Sequence, residues 1–298
     1  MRISAAVSLI GSGLLIASPV WGQSPAPSIA TAPAIEKVEF NSASRPLGKL
    51  MEQRARARGE DPKPTPGEHL EGYLARPEGS GPFPAVVVLP GCAGLTPYVK
   101  EELPQQLASW GYVALVVDSW ATRRIEPDCM KDPGSVDRVA DSYGGFFYLA
   151  TLPFADRTRV GVLGVADGAR IVLTLVQPLP DDWVFNPDKL TFKAGVTYDP
   201  MCAEADAKAT FPLLLLIGQR DQRYPARACE DLTRNPAVDS APMELAVFPD
   251  AHHGFLEPKW GAGQDMFGYH VEYNREAAAD SLQRTRDFLG RTLDTVSH

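Results

Sequence analysis

The chain has 298 residues, with 29 Lys and Arg against 37 Asp and Glu, a formal net charge of −8 and only 4 Cys. At 44% hydrophobic and 22% charged it is ordinary globular material, which excludes a disordered or low-complexity chain. The acidic balance argues against nucleic acid as a partner, and four cysteines are too few for a disulfide-built scaffold.

Residues 1–22 read as an export leader. Met1-Arg2 supplies a short positive start, and residues 3–17 form an apolar stretch carrying Leu9, Ile10, Leu14, Leu15 and Ile16. Ser8, Gly11, Ser12 and Gly13 interrupt it. A membrane span needs about 20 apolar residues, so no stable membrane anchor is expected. Val20-Trp21-Gly22 sets small residues around a cleavage point after Gly22, giving an exported chain, periplasmic or secreted. Residues 23–34 (QSPAPSIATAPA) then read as a flexible linker, and residues 35–298 as one folded domain.

Eight strands are predicted in chain order, at 36–40, 70–76, 85–89, 113–117, 160–164, 194–198, 213–217 and 245–248. Continuous runs such as AVVVL, VALVV and LLLLI suit strands covered on both faces. Helices are predicted between them at 97–110, 135–151, 167–177, 225–234 and 269–293. Between the first two strands, LGKLMEQRARARGE looks helical until PKPTPG stops it. Its Arg54, Arg56 and Arg58 read as the solvated face of a helical insertion rather than a binding patch. The alternation predicts an α/β fold, a mainly parallel sheet of about eight strands with helices on both faces. In such sheets chemistry collects at the carboxyl ends of the strands.

Those ends carry the informative residues. The strand at 160–164 runs into Gly164-Val165-Ala166-Asp167-Gly168 and then a helix, the frame of a nucleophile elbow, G-x-S-x-G. Its central residue is Ala166, whose methyl group cannot attack anything. Asp221 follows the LLLLI strand, where a carboxylate can orient an imidazole. Within Pro249-Asp250-Ala251-His252-His253-Gly254-Phe255, His253 is the better candidate for a general base. Leu89-Pro90-Gly91-Cys92-Ala93-Gly94 follows the third strand and can supply an oxyanion N–H at Cys92; the second donor is the N–H of Asp167.

Arg123 and Arg124, beyond the fourth strand, are candidates to pair with a substrate carboxylate. Trp120 and Tyr224 are candidates to line an apolar pocket. Asp250, His252 and His253 are too close along one loop to offer a full ligand set, so no metal and no cofactor is expected. The cysteines allow three pairings, of which Cys202 with Cys229 is expected, each lying just beyond a strand end in adjacent units.

The segments GPFPAVVVLPGCAGL, LASWGYVALVVDSW, RVGVLGVADGAR, PLLLLIGQRDQRYP and FPDAHHGF resemble the dienelactone hydrolase family of the α/β-hydrolase superfamily, over roughly residues 35–293. The resemblance implies an α/β-hydrolase fold and the cleavage of small esters or lactones by a Cys or Ser nucleophile with Asp and His. By position it makes Asp221 the acid, His253 the base, and Cys92 and Asp167 the oxyanion donors. The nucleophile position falls on Ala166, where the sequence departs from the family pattern. A substituted nucleophile, a natural loss and attack by another group all fit this departure. Two readings follow: an ester or lactone hydrolase with little turnover as written, or a non-catalytic ligand-binding or regulatory protein on the same fold.

Overall fold

The apolar runs of the sequence become the middle of a single sheet. The computed structural model describes residues 32–131, 136–266 and 268–294. The leader at 1–22 lies outside the described residues, as does residues 23–31 of the expected linker. The sheet contains β1 (Ile35–Asn41), β2 (His69–Ala75), β3 (Phe83–Leu89), β4 (Val113–Asp118), β5 (Ala155–Val165), β6 (Gly195–Tyr198), β7 (Leu213–Gly218) and β8 (Met243–Phe248). Their spatial order is β1-β2-β4-β3-β5-β6-β7-β8. β2 runs antiparallel to both β1 and β4, and every other pairing is parallel. This is the mainly parallel α/β sheet that the alternation predicts.

Helices cover both faces, which explains why the central strands carry no polar alternation. α1 (Lys49–Ala57) belongs to the insertion and buries only Ala55. α2 (Leu103–Ser109) and α6 (Arg275–Leu293) pack on one face, with Leu103, Leu107, Phe288 and Leu289 against Val86, Val88, Val116 and Leu216. α3 (Arg138–Thr151), α4 (Asp167–Leu175) and α5 (Ala226–Arg234) pack on the other, where Phe146, Val172 and Leu232 join Val87, Leu115, Val162 and Leu215. Successive strand residues thus point into opposite cores, as the two-residue period of a strand requires. Among the described residues no helix is long and apolar enough to cross a membrane.

Two expectations need correction. The helix at 97–110 opens as a wider π-type turn over Tyr98–Glu102 before α2 begins. The helix expected over 269–293 starts only at Arg275, because the Asn274 side chain accepts the N–H of Ala277 and caps it there. The residues before it form β10 (Tyr269–Val271), paired antiparallel with β9 (Gln264–Met266) in a separate hairpin.

The register of the parallel strands aligns their carboxyl ends. Leu89 of β3 stands opposite Gly164 of β5, Val165 opposite Tyr198 of β6, and Gly218 of β7 opposite Phe248 of β8. The loops that leave these strands therefore share one edge of the sheet.

Candidate active site

Ala166 is the single residue between β5 and α4. Its backbone sits at φ 50 and ψ −110, outside the regions ordinarily open to an L-residue. Three hydrogen bonds hold it there: its N–H donates to the Tyr198 carbonyl at 2.8 Å, and its carbonyl accepts the N–H groups of Ala169 at 2.9 Å and Arg170 at 3.2 Å. The flanking glycines are required by space. A Cβ on Gly164 would lie 2.3 Å from the Gly168 carbonyl oxygen, and one on Gly168 would lie 2.0 Å from that of Leu89. The frame thus carries the strained geometry of an elbow around a side chain that is only a methyl.

The turn after β3 faces that methyl. A Cβ added at Gly91 would lie 3.5 Å from Ala166 Cβ, and Gly91, Cys92 and Ala93 line one cavity of about 90 Å³ with Ala166 and His253. Asp167 opens α4, so its N–H has no intrahelical acceptor and is available to a ligand. Its side chain points elsewhere, into Arg138 at 2.6 Å and Arg170 at 2.9 Å. Burial alone would raise the Asp167 carboxyl, but these two guanidiniums hold it below its ordinary value.

His253 and Asp221 meet across the ends of β7 and β8. His253 Nδ1 and Asp221 Oδ2 are 2.8 Å apart, and both side chains are buried. Asp221 Oδ1 accepts the N–H groups of Arg223 and Tyr224, each at 2.8 Å, so the carboxylate has no freedom to turn away. The imidazole is boxed edge-on by Tyr224 and Tyr269. Burial disfavours a charged ring, but the Asp221 hydrogen bond and the nearby Asp199 and Asp221 charges outweigh it, leaving the His253 pKa raised. With Nδ1 engaged, Nε2 is the nitrogen left to act on a ligand.

Asp199 and Glu257 complete the cavity wall, and sequence reasoning missed both. Asp199 follows β6 with φ 51; its Oδ2 accepts the Gly254 N–H at 2.9 Å, while its buried Oδ1 has no partner. Burial chiefly, with added repulsion from Asp221 and Glu257, pushes its carboxyl above the usual range. Glu257 Oε2 is likewise buried without a hydrogen-bond partner, although Lys259 Nζ lies 3.5 Å from it. Their only sequence cue was Asp199 at a strand end, in the run Thr197-Tyr198-Asp199-Pro200. Asp199, Asp221 and His253 bring one donor atom each within 4.8 Å, with His253 bonded to Asp221 and Asp199 bonded to the Gly254 N–H.

The other expected residues divide. Arg123 is corrected as a substrate-binding candidate. Its Nη1 and Nη2 form a fork on Asp141 at 2.8 Å, Nη1 also donates to the Ser119 carbonyl, and Nε and Nη2 reach Glu68. All five guanidinium N–H donors are thereby engaged. Arg124 is exposed on a left-handed turn, and neither arginine lines the cavity beside Ala166. Trp120 is buried with its ring 4.6 Å from the Arg138 guanidinium, and it borders an outer hollow of about 580 Å³ with Cys92, Asp167 and Arg223. Tyr224 packs on His253 rather than on the cavity. Cys202 and Cys229 are joined by a disulfide, and a second links Cys92 of the turn after β3 to Cys129. Two other hollows, of about 630 and 470 Å³, bring no His or Cys to their walls.

Chemically, the arrangement offers an imidazole hydrogen-bonded to a carboxylate beside a small cavity lined by the Gly91–Ala93 turn, and no nucleophilic side chain at the elbow. A family model described as the dienelactone hydrolase family matches residues 70–293. The chain is 23% identical over 244 residues to the "Putative carboxymethylenebutenolidase" of Methylorubrum extorquens, covering 74% of this chain and 76% of that protein. It is 27% identical over 206 residues to a Bradyrhizobium protein named "Probable 2-oxo-3-(5-oxofuran-2-ylidene)propanoate lactonase", covering 65% of this chain and 82% of that one. Among solved structures, esterase 2 of Thermogutta terrifontis phosphorylated by paraoxon aligns with a TM-score of 0.57 at 17% identity, over 74% of this chain and 88% of that chain. That likeness is one of fold.

Proposed function

We propose a function from one premise: the chain belongs to the dienelactone hydrolase family. Its site is built to bind a small carboxylic ester or lactone and to polarise the acyl carbonyl, and its route through an acyl-enzyme is closed at Ala166. The observation that carries this reading is the 2.8 Å His253–Asp221 pair facing Ala166 across a cavity shared with the Gly91–Ala93 turn. The carbonyl oxygen would sit between the N–H groups of Cys92 and Asp167. Without a nucleophile, the remaining path is direct attack by water. His253 Nε2 takes the water proton as the C–O bond forms, Asp221 stabilises the imidazolium, and that proton passes to the alkoxide as the ester C–O bond breaks.

In a worked triad, losing the nucleophile costs about a millionfold in kcat, while roughly 10³ to 10⁴ over water survives from oxyanion hole and binding. Little turnover is therefore the expected behaviour. The specific observation behind the second reading, a non-catalytic binding protein, is Ala166 itself. Hydrolysis of a short-chain activated ester by the parent and by Ala166→Ser separates the two. A large gain in the variant supports the ester-hydrolase site. Silence from both overturns it in favour of binding, and equal activity from both assigns turnover to water.

An exported location belongs to the same proposal. The leader-like residues 1–22 and two disulfides support it. N-terminal sequencing of the mature chain is expected to start at Gln23.

A further inference from the structure

Asp250, His252 and His253 make a poor ligand set along one loop, but the fold brings His252 new neighbours. The β9–β10 hairpin lies against that loop: the Glu272 N–H donates to the His253 carbonyl at 3.2 Å, and Val271 bridges to His253. As a result His252, His270 and Glu272 place one donor atom each within 4.8 Å of the others. His252 Nε2 is 3.8 Å and His270 Nε2 3.4 Å from the same Glu272 oxygen. Zinc bonds of about 2.0–2.1 Å at tetrahedral angles set neighbouring donors roughly 3.3–3.4 Å apart. The two distances to Glu272 are within about half an ångström of that spacing, and the two imidazole donors lie within 4.8 Å of each other.

Three surrounding features fit a ligand set better than a loose surface ion pair. His270 Nδ1 is 2.7 Å from Asp265 Oδ1, the carboxylate–imidazole arrangement that orients a metal-binding ring. His252 Nδ1 is buried with no hydrogen-bond partner, so no protein group competes for that imidazole's tautomer. Gly263 keeps the approach to His270 clear, since a Cβ there would lie 2.4 Å from Nε2. All three donor residues are half-buried, and the two rings meet edge to face at 4.7 Å.

We propose that His252, His270 and Glu272 form a site for one divalent transition cation of the Zn²⁺ class, with Asp265 as the positioning residue for His270. Two imidazoles and a carboxylate suit such an ion and leave a fourth position for water. The site is separate from the Asp221–His253 pair and takes no part in attack on an ester. Its effect is mechanical: it straps the hairpin, which carries Tyr269 and part of the cavity wall, to the loop that carries His253.

Zinc titration of the full chain by calorimetry, after chelator treatment, tests the site. One ion per chain is expected, with affinity reduced at least about tenfold in His270→Ala and in Glu272→Gln and unchanged in His253→Ala. Asp265→Asn touches no ion and sits on an exposed side chain, so it keeps the test valid if His270→Ala fails to fold; it too is expected to weaken zinc about tenfold. A parent that binds no zinc, variants that bind like the parent, or binding abolished only by His253→Ala would each overturn the proposal.

Discussion

Arg138 Nη1 donates to Asp167 Oδ2 across 2.6 Å, from an arginine side chain only 2% exposed. The same guanidinium donates through Nη2 to the Pro90 carbonyl at 2.6 Å and lies over the Trp120 ring. One buried cation therefore ties the residue after the elbow to the turn after β3, the proposed source of the other oxyanion donor. Neither contact is visible in the sequence, where Arg138 falls within the helix predicted at 135–151.

Removing that cation leaves the half-buried Asp167 with Arg170 as its remaining ionic partner. Arg138→Met is expected to destabilise the fold by about 3 kcal/mol, measured as a shift of the urea midpoint. In the Ala166→Ser background it should also lower kcat about 100-fold by loosening the oxyanion donors. Lys at 138 should not rescue, because it lacks the fork that spans Asp167 and Pro90. The sign with pH follows from the depressed Asp167 pKa: its contribution is present above the ordinary carboxylate range and fades as pH falls through the lower folded value. The stability gap between parent and variant should therefore narrow in acid.

With His253 as the proposed general base, its raised pKa predicts the pH dependence of hydrolysis. A general base must be neutral, so the acid limb of kcat/KM in Ala166→Ser should lie above the ordinary imidazole value of about 6.5. The Asp199 charge is one cause of that elevation. Asp199→Asn should thus move the limb to lower pH; a limb that stays put would remove Asp199 from the electrostatics of the base.

The elbow glycines tolerate no side chain. Gly168→Ala places a Cβ 2.0 Å from the Leu89 carbonyl oxygen, which only backbone movement can relieve. A loss of about 3 kcal/mol or more is expected, read as a lower melting temperature, and a variant as stable as the parent would show that the elbow can shift.

The disulfides close loops of 37 and 27 residues. By loop-closure entropy each is worth about 3.5 to 4 kcal/mol, before any native strain. Denatured chain made in an oxidising compartment should show no reactive thiol until reductant is added. Cys92→Ala with Cys129→Ala should also cost the Ala166→Ser variant activity, because Cys92 is a proposed oxyanion donor on the cavity wall.

The sheet was legible because its central strands are continuous Val and Leu runs with covered faces, as in β3 and β7. The elbow frame, Asp221 and His253 were legible because strand ends announce themselves. The β9–β10 hairpin was not: each strand has three residues, Gln264-Asp265-Met266 carries no alternation, and Tyr269 joins smoothly to the helical pattern beyond Asn274. Missing it hid part of the cavity wall and the neighbours of His252. β5 begins five residues before the expected strand, because Asp156-Arg157-Thr158-Arg159 is polar yet extended, its Asp156 side chain accepting the Thr158 N–H. Arg123 misled in the opposite way, since its position beyond β4 says nothing of the two carboxylates that saturate it.

The left-handed backbone at Ala166 has a thermodynamic consequence. A residue held in such a conformation costs about 1–3 kcal/mol, normally accepted because it presents a reactive atom. Here the methyl presents none, so the chain keeps a stability deficit whose usual return is missing. Ala166→Gly should recover part of it, a net gain of about 1 kcal/mol after the extra entropy of glycine in the unfolded chain. The same substitution in an elbow bearing Ser would abolish catalysis, but in this chain it should raise the melting temperature without changing turnover.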